Sequence, residues 1–209
     1  MKRLSLALIA LFMISNYGTM NAQINRTDKT KVADILAQMP TSDLEHSDRV
    51  MKEIIGMGDK GIALFTDLLV PLGAGNDSQV RYTLNSLAIY AGKFDSDDAS
   101  RIMVERSLLS ALAISTDTEI ASFLIERLRF CATNASIQPL SEYLGKKELF
   151  EVAIGTLTAL ENNSGAEVLH KAAEQLNANN LPALIEALTT LEYTGSKTLM
   201  NKLVKHDDP

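Results

Sequence analysis

Residues 150–160 read Phe-Glu-Val-Ala-Ile-Gly-Thr-Leu-Thr-Ala-Leu, and they decide the fold. Seven and three residues before Leu157 stand Phe150 and Ile154, and three after it stands Leu160. Offsets of three, four and seven place these side chains on one face of an α-helix, with Glu151 and Thr158 left for the polar side. The same stripe returns around Leu87 (Val80, Leu84, Tyr90), Leu128 (Ala121, Ile125, Cys131) and Leu188 (Leu181, Ile185, Leu191). The anchor leucines are 41, 29 and 31 residues apart, a range in which recurrence signals stacked helical units. Bounded period-two runs are missing, so no strands are expected. The prediction is an all-α chain, an α-solenoid of stacked antiparallel helix pairs.

Working outward, helices are expected over 30–38 and 43–55, the first stopped by Pro40 and the second capped by Thr41 or Ser42. A further helix runs from Asp59 to before Pro71, pairing with 78–91, which Gly92 closes. The next pairs are 98–114 with 116–132, 135–144 with 147–160, and 165–176 with 180–193. Pro139 and Pro182 fall near helix starts, where a missing N–H costs nothing. A short amphipathic piece over 197–205 ends the pattern. The resulting division is a leader over 1–22, N-terminal capping helices over 23–58, four helix pairs over 59–195, and a short helix with tail over 196–209.

The leader reading rests on Lys2 and Arg3, an uncharged run from Leu4 to Ile14, and a small, polar stretch ending at Ala22. That is the layout of a secretory signal peptide, and the apolar run of 11 residues is far below the roughly 20 needed to span a bilayer. Export to the periplasm or the extracellular space is expected, with no stable membrane insertion after cleavage. Removing 22 of 209 residues takes two of the 20 cations and none of the 26 carboxylates, leaving 187 residues with a net charge of -8. That balance argues against nucleic acid and anionic lipid as partners. Cys131 is the one cysteine, so no internal disulfide can form, and its place in an apolar column predicts a buried, inert thiol.

Motifs that could carry chemistry yield to plainer readings. Gly56, Gly58 and Gly61 have the G-x-G-x-x-G spacing, but a helix precedes them where a dinucleotide fold needs a strand. A helix stop, a tight turn and a restart capped by Asp59 are expected instead. His46, His170 and His206 are scattered and no CxxC or HExxH occurs, so neither a metal nor another cofactor is implied. Asp95, Asp97 and Asp98 lack the rest of a calcium loop and read as a turn and a helix start. No G-x-S-x-G elbow is present, and no catalytic residues are assigned.

Ser136, Ile137, Gln138, Pro139, Leu140, Tyr143 and Leu144, followed by Val152, Ala153, Thr156, Leu157 and Leu160, resemble HEAT-like repeats. The resemblance covers 59–194 and is loosest in the second pair, which has no Pro. It implies a HEAT/armadillo-like superhelix and says nothing specific of function. A leader followed by such repeats is also similar to the N-terminal region of secreted bacterial proteins that carry a concanavalin-like 3-keto-disaccharide hydrolase domain.

These readings predict a non-catalytic, exported, protein-binding scaffold or adaptor whose partner is another protein. The alternative is the N-terminal accessory region of a secreted carbohydrate-active hydrolase, ending before its catalytic domain, so that the partner is that adjoining domain. The binding face is expected on the second helices of the first two pairs, at Arg81, Tyr82, Asn85, Phe123, Glu126, Arg129 and Phe130, because aromatic and Arg anchors dominate recognition surfaces.

Overall fold

The computed structural model describes residues 27–175 and 180–197, and among these it contains ten α-helices and no strand. The helices are α1 Asp28–Leu36, α2 Leu44–Gly56, α3 Gly58–Thr66, α4 Ser78–Ala91, α5 Ala99–Ile114, α6 Thr118–Cys131, α7 Ile137–Ser141, α8 Phe150–Thr158, α9 Asn163–Gln175 and α10 Leu181–Thr190. The expected leader over 1–22, most of the terminal piece at 197–205 and His206 lie outside the described residues.

Helices pack on their second neighbours along the chain: α1 on α3, α3 on α5 and α7 on α9 in one row, which is interrupted between α5 and the short α7, and α2 on α4, α4 on α6, α6 on α8 and α8 on α10 in the other. Rows are joined within sequential pairs such as α5 with α6 and α9 with α10. The seams are the apolar stripes. Leu87, Leu128, Leu157 and Leu188 are all buried, as are Leu84, Ile125 and Ile154 beside them. Ile185, Leu160 and Leu191 are only half-buried, so the seam opens toward the last described helices.

Local chemistry explains most of the helix starts. Asp43, rather than Thr41 or Ser42, caps α2, its carboxylate accepting from the His46 N–H at 2.8 Å. Asp98 caps α5 and Asp117 caps α6 in the same way, each satisfying N–H groups that have no partner inside the helix. Gly58 (φ +70°) makes the turn between α2 and α3, in a left-handed conformation that glycine adopts without cost. Asp59 does not cap α3 with its side chain as expected. Its carboxylate instead reaches α5, bound by Arg106 at 3.1 and 2.6 Å and by the Ser107 hydroxyl at 3.1 Å.

The sequence expectation fails most at 135–149. There Asn134–Ser136 is a 3-10 turn, α7 has five residues, and α8 begins at Phe150 rather than 147. The reason is a polar junction. Glu105 on α5 is buried and accepts from the Thr133 N–H (2.7 Å), the Thr133 hydroxyl (2.8 Å) and the Ser136 hydroxyl (2.5 Å). One turn earlier, Arg101 donates to the carbonyls of Cys131 (3.0 Å), Ala132 (2.8 Å) and Phe94 (3.0 Å). Glu105 thus receives the chain leaving α6 while Arg101 caps the carbonyls at its end, and this tie holds 133–136 in a tighter geometry than a regular helix.

Gly92 does follow α4, but at φ -66° it is not a left-handed stop. A Cβ there would lie 2.1 Å from the Phe130 carbonyl oxygen. Its absence lets the ends of α4 and α6 approach.

Candidate functional site

The row α4, α6, α8 and α10 carries the residues expected to bind, and the structure divides them. Arg81 is absorbed by the fold. Its Nε donates to both oxygens of Asp77 at 2.9 Å, Nη1 and Nη2 donate to the two oxygens of Glu119 at 2.7 Å each, and Nη2 also meets the Val70 carbonyl at 3.2 Å. Held this way, the guanidinium lies over the buried Phe123 ring, 4.8 Å from its centroid. Asn85 is likewise engaged, accepting from Arg127 Nη1 at 2.6 Å. Tyr82, Glu126, Arg129 and Phe130 remain exposed.

Arg127 is the residue the sequence reading missed. It lies over Phe123 (4.9 Å) and Phe130 (5.6 Å), bonds Asn85 on α4, and pairs with Glu126 at 3.1 Å. Burial lowers its pKa from the ordinary arginine value, and among the described residues its Nε has no hydrogen-bond partner. The signal was present: Phe123, Arg127 and Phe130 stand at offsets of four and seven on α6, the spacing at which side chains meet on a helix. A guanidinium among rings is held by cation–π attraction as well as by hydrogen bonds.

C-terminal to this cluster the row opens. A furrow of about 570 Å³ runs between α8 and α10, its floor made by Ile154, Gly155, Ala159, Ala183, Ala187 and Leu191. A neighbouring hollow lined by Phe130 and Val152 shares Arg129, Glu151 and Gly155 with the furrow. Around the rim stand Glu151, Glu161, Glu186, Glu192 and Arg129. Among the described residues none of these five charged side chains forms an ion pair or a side-chain hydrogen bond. Toward the N-terminus charge is treated differently: Arg81 meets Asp77 and Glu119, Arg106 meets Asp59, and Lys93 meets Asp48.

Glu161 and Glu192 also share an unusual backbone. Each stands four residues past its anchor leucine, just beyond the end of α8 or α10, and each has φ +50°. After α10 the Glu192 N–H meets the Thr189 carbonyl and the Tyr193 N–H the Leu188 carbonyl, the Schellman pattern whose left-handed position usually holds glycine. A glutamate there bears the steric cost of that conformation and puts negative charge at the negative end of the helix dipole.

Cys131 is fully buried, and burial, with Glu105 nearby, pushes its thiol up to about 12. Among the described residues no three His, Cys, Asp or Glu side chains come together to hold a metal ion, and no helix is long and apolar enough to cross a membrane. Comparison with protein-family models, with curated proteins and with solved structures finds no match for this chain.

Proposed function

We propose that this chain is an exported, non-catalytic scaffold that binds another protein, built as a HEAT-like α-solenoid of stacked helix pairs. The packing of α2, α4, α6, α8 and α10 in an unbroken row supports the architecture, since units of this kind contact only adjacent units and leave one helix row free as a continuous surface. The observation that carries the function is the furrow between α8 and α10. It joins an apolar floor to five charged side chains without partners in the described fold, whereas Arg81, Asp77 and Glu119 earlier in the same row are paired with one another. An apolar floor with charged side chains around it supplies both kinds of contact that interfaces use, an apolar centre and a polar rim.

The test is capture from the envelope fraction of the exporting cell, comparing the wild-type protein with Gly155→Phe and Ala113→Phe. A Cβ at Gly155 meets nothing within 4 Å, so a side chain can start there into the furrow, and circular dichroism and urea unfolding of the variant check that the fold is kept. Ala113 is exposed on α5, in the other row. Loss of a defined captured protein with Gly155→Phe alone is expected. Equal capture by all three would refute the face.

A further inference from the structure

We infer that the segment received by the α8–α10 furrow is a basic amphipathic peptide of the partner, its apolar side on the floor and its Lys or Arg side chains on the rim. This inference rests on the scaffold reading above and adds the chemistry of the partner.

Four carboxylates face one guanidinium around the furrow, so its field is negative. Glu151 stands in the first turn of α8 and Glu161 just past its last turn, ten residues further along the chain. Charge spread over that length suits an elongated ligand, not a compact cation. Glu186 and Glu192 face them from the α10 side, so an occupant meets carboxylates along both edges. The floor takes apolar side chains and Gly155, with open space above its Cα, deepens it at the middle. Complementary potentials of this kind select the partner and speed its arrival.

The chain's own residues 198–205 include Lys202 and Lys205 among Leu199, Met200, Leu203 and Val204, and are the internal competitor. The turn that leads to them, Thr194–Ser196, packs on α9, which belongs to the other row. The furrow is assigned to a separate molecule, and the tail variant below tests that choice.

The probe is a fluorescent 16-residue peptide with Leu at helical spacing and Lys elsewhere, titrated into the full-length protein beside two analogues, one with every Lys replaced by Glu and one with every Leu replaced by Ser. Only the Leu/Lys peptide should bind, with affinity falling as salt rises. The triple variant Glu161→Gln/Glu186→Gln/Glu192→Gln should weaken it by about tenfold or more, and Gly155→Phe should abolish it. The control Glu53→Gln/Glu142→Gln/Glu167→Gln removes equal charge from exposed positions elsewhere and should bind as the wild type does. Equal binding of the Glu analogue, or equal weakening by the control triple, would overturn the basic class. Tighter peptide binding by Lys202→Glu/Lys205→Glu would overturn the assignment to a separate molecule by showing the tail as occupant. If the peptide fails while envelope capture still depends on Gly155, the partner chemistry falls and the scaffold reading stands; if capture is also independent of Gly155, both fall.

Discussion

Arg81 on α4 and Glu119 on α6 meet as a two-pronged pair, each guanidinium Nη donating to a separate carboxylate oxygen at 2.7 Å. The same guanidinium holds Asp77 and the Val70 carbonyl, so one side chain ties two helices and the loop before α4. Sequence pattern placed Arg81 on an exposed binding ridge, but the geometry makes it a structural tie. Arg81→Ala should therefore cost about 2–3 kcal/mol in urea unfolding, because it strands two partly buried carboxylates. Arg81→Lys should recover only a fraction, since one ammonium cannot reproduce the planar fork. A loss of under about 0.5 kcal/mol, the size expected of an ordinary surface change, would contradict this role.

Asp77 gives the pair a pH signature. Burial acts to raise its pKa, but the hydrogen bonds from Arg81 and from the Val70 N–H outweigh it and hold the carboxyl below its ordinary value of 3.8. A depressed folded pKa means the contribution is complete above the unfolded value and is lost as pH falls through the folded one. Stability should thus fall as acid is added below about pH 4. Asp77→Asn should be less stable at pH 7 and show a shallower decline in that window. An identical slope in wild type and variant would contradict the assignment.

Cys131 reports on the core. Fully buried, with its thiol near 12, it presents almost no thiolate at pH 8. A thiol reagent should leave the native protein unmodified and react with one equivalent in denaturant. Rapid native labelling would show that the packing around Cys131 is not closed.

Glu161 and Glu192 yield a prediction of opposite sign. Glu192→Gly should raise stability by about 1 kcal/mol by relieving the left-handed conformation and the unfavourable dipole contact, and Glu161→Gly should act in the same direction. The inferred peptide should at the same time bind less tightly. Destabilisation by both changes would mean that the carboxylates serve the fold.

The apolar seams were legible in the sequence because burial repeats with the helix: Leu84, Leu87, Ile125, Leu128, Ile154 and Leu157 all face inward as their spacing predicts. The junction at 133–149 was not, since it depends on Glu105 and Arg101 reaching about thirty residues along the chain, and such contacts leave no local periodicity. The site was half legible. Arg129 and Phe130 are exposed as expected, but whether an arginine is free or spent depends on where Glu119 and Asn85 arrive, and that follows from helix packing. The furrow itself comes from a glycine and two alanines facing each other across α8 and α10, an absence of side chains that composition cannot place.

The most direct measurement is site-specific photocrosslinking in the exporting cell, with benzoylphenylalanine at position 155 in the furrow or at position 113 on the other helix row. The account predicts one defined protein adduct from 155 and none from 113. No adduct at 155, or the same adducts from both positions, would contradict it.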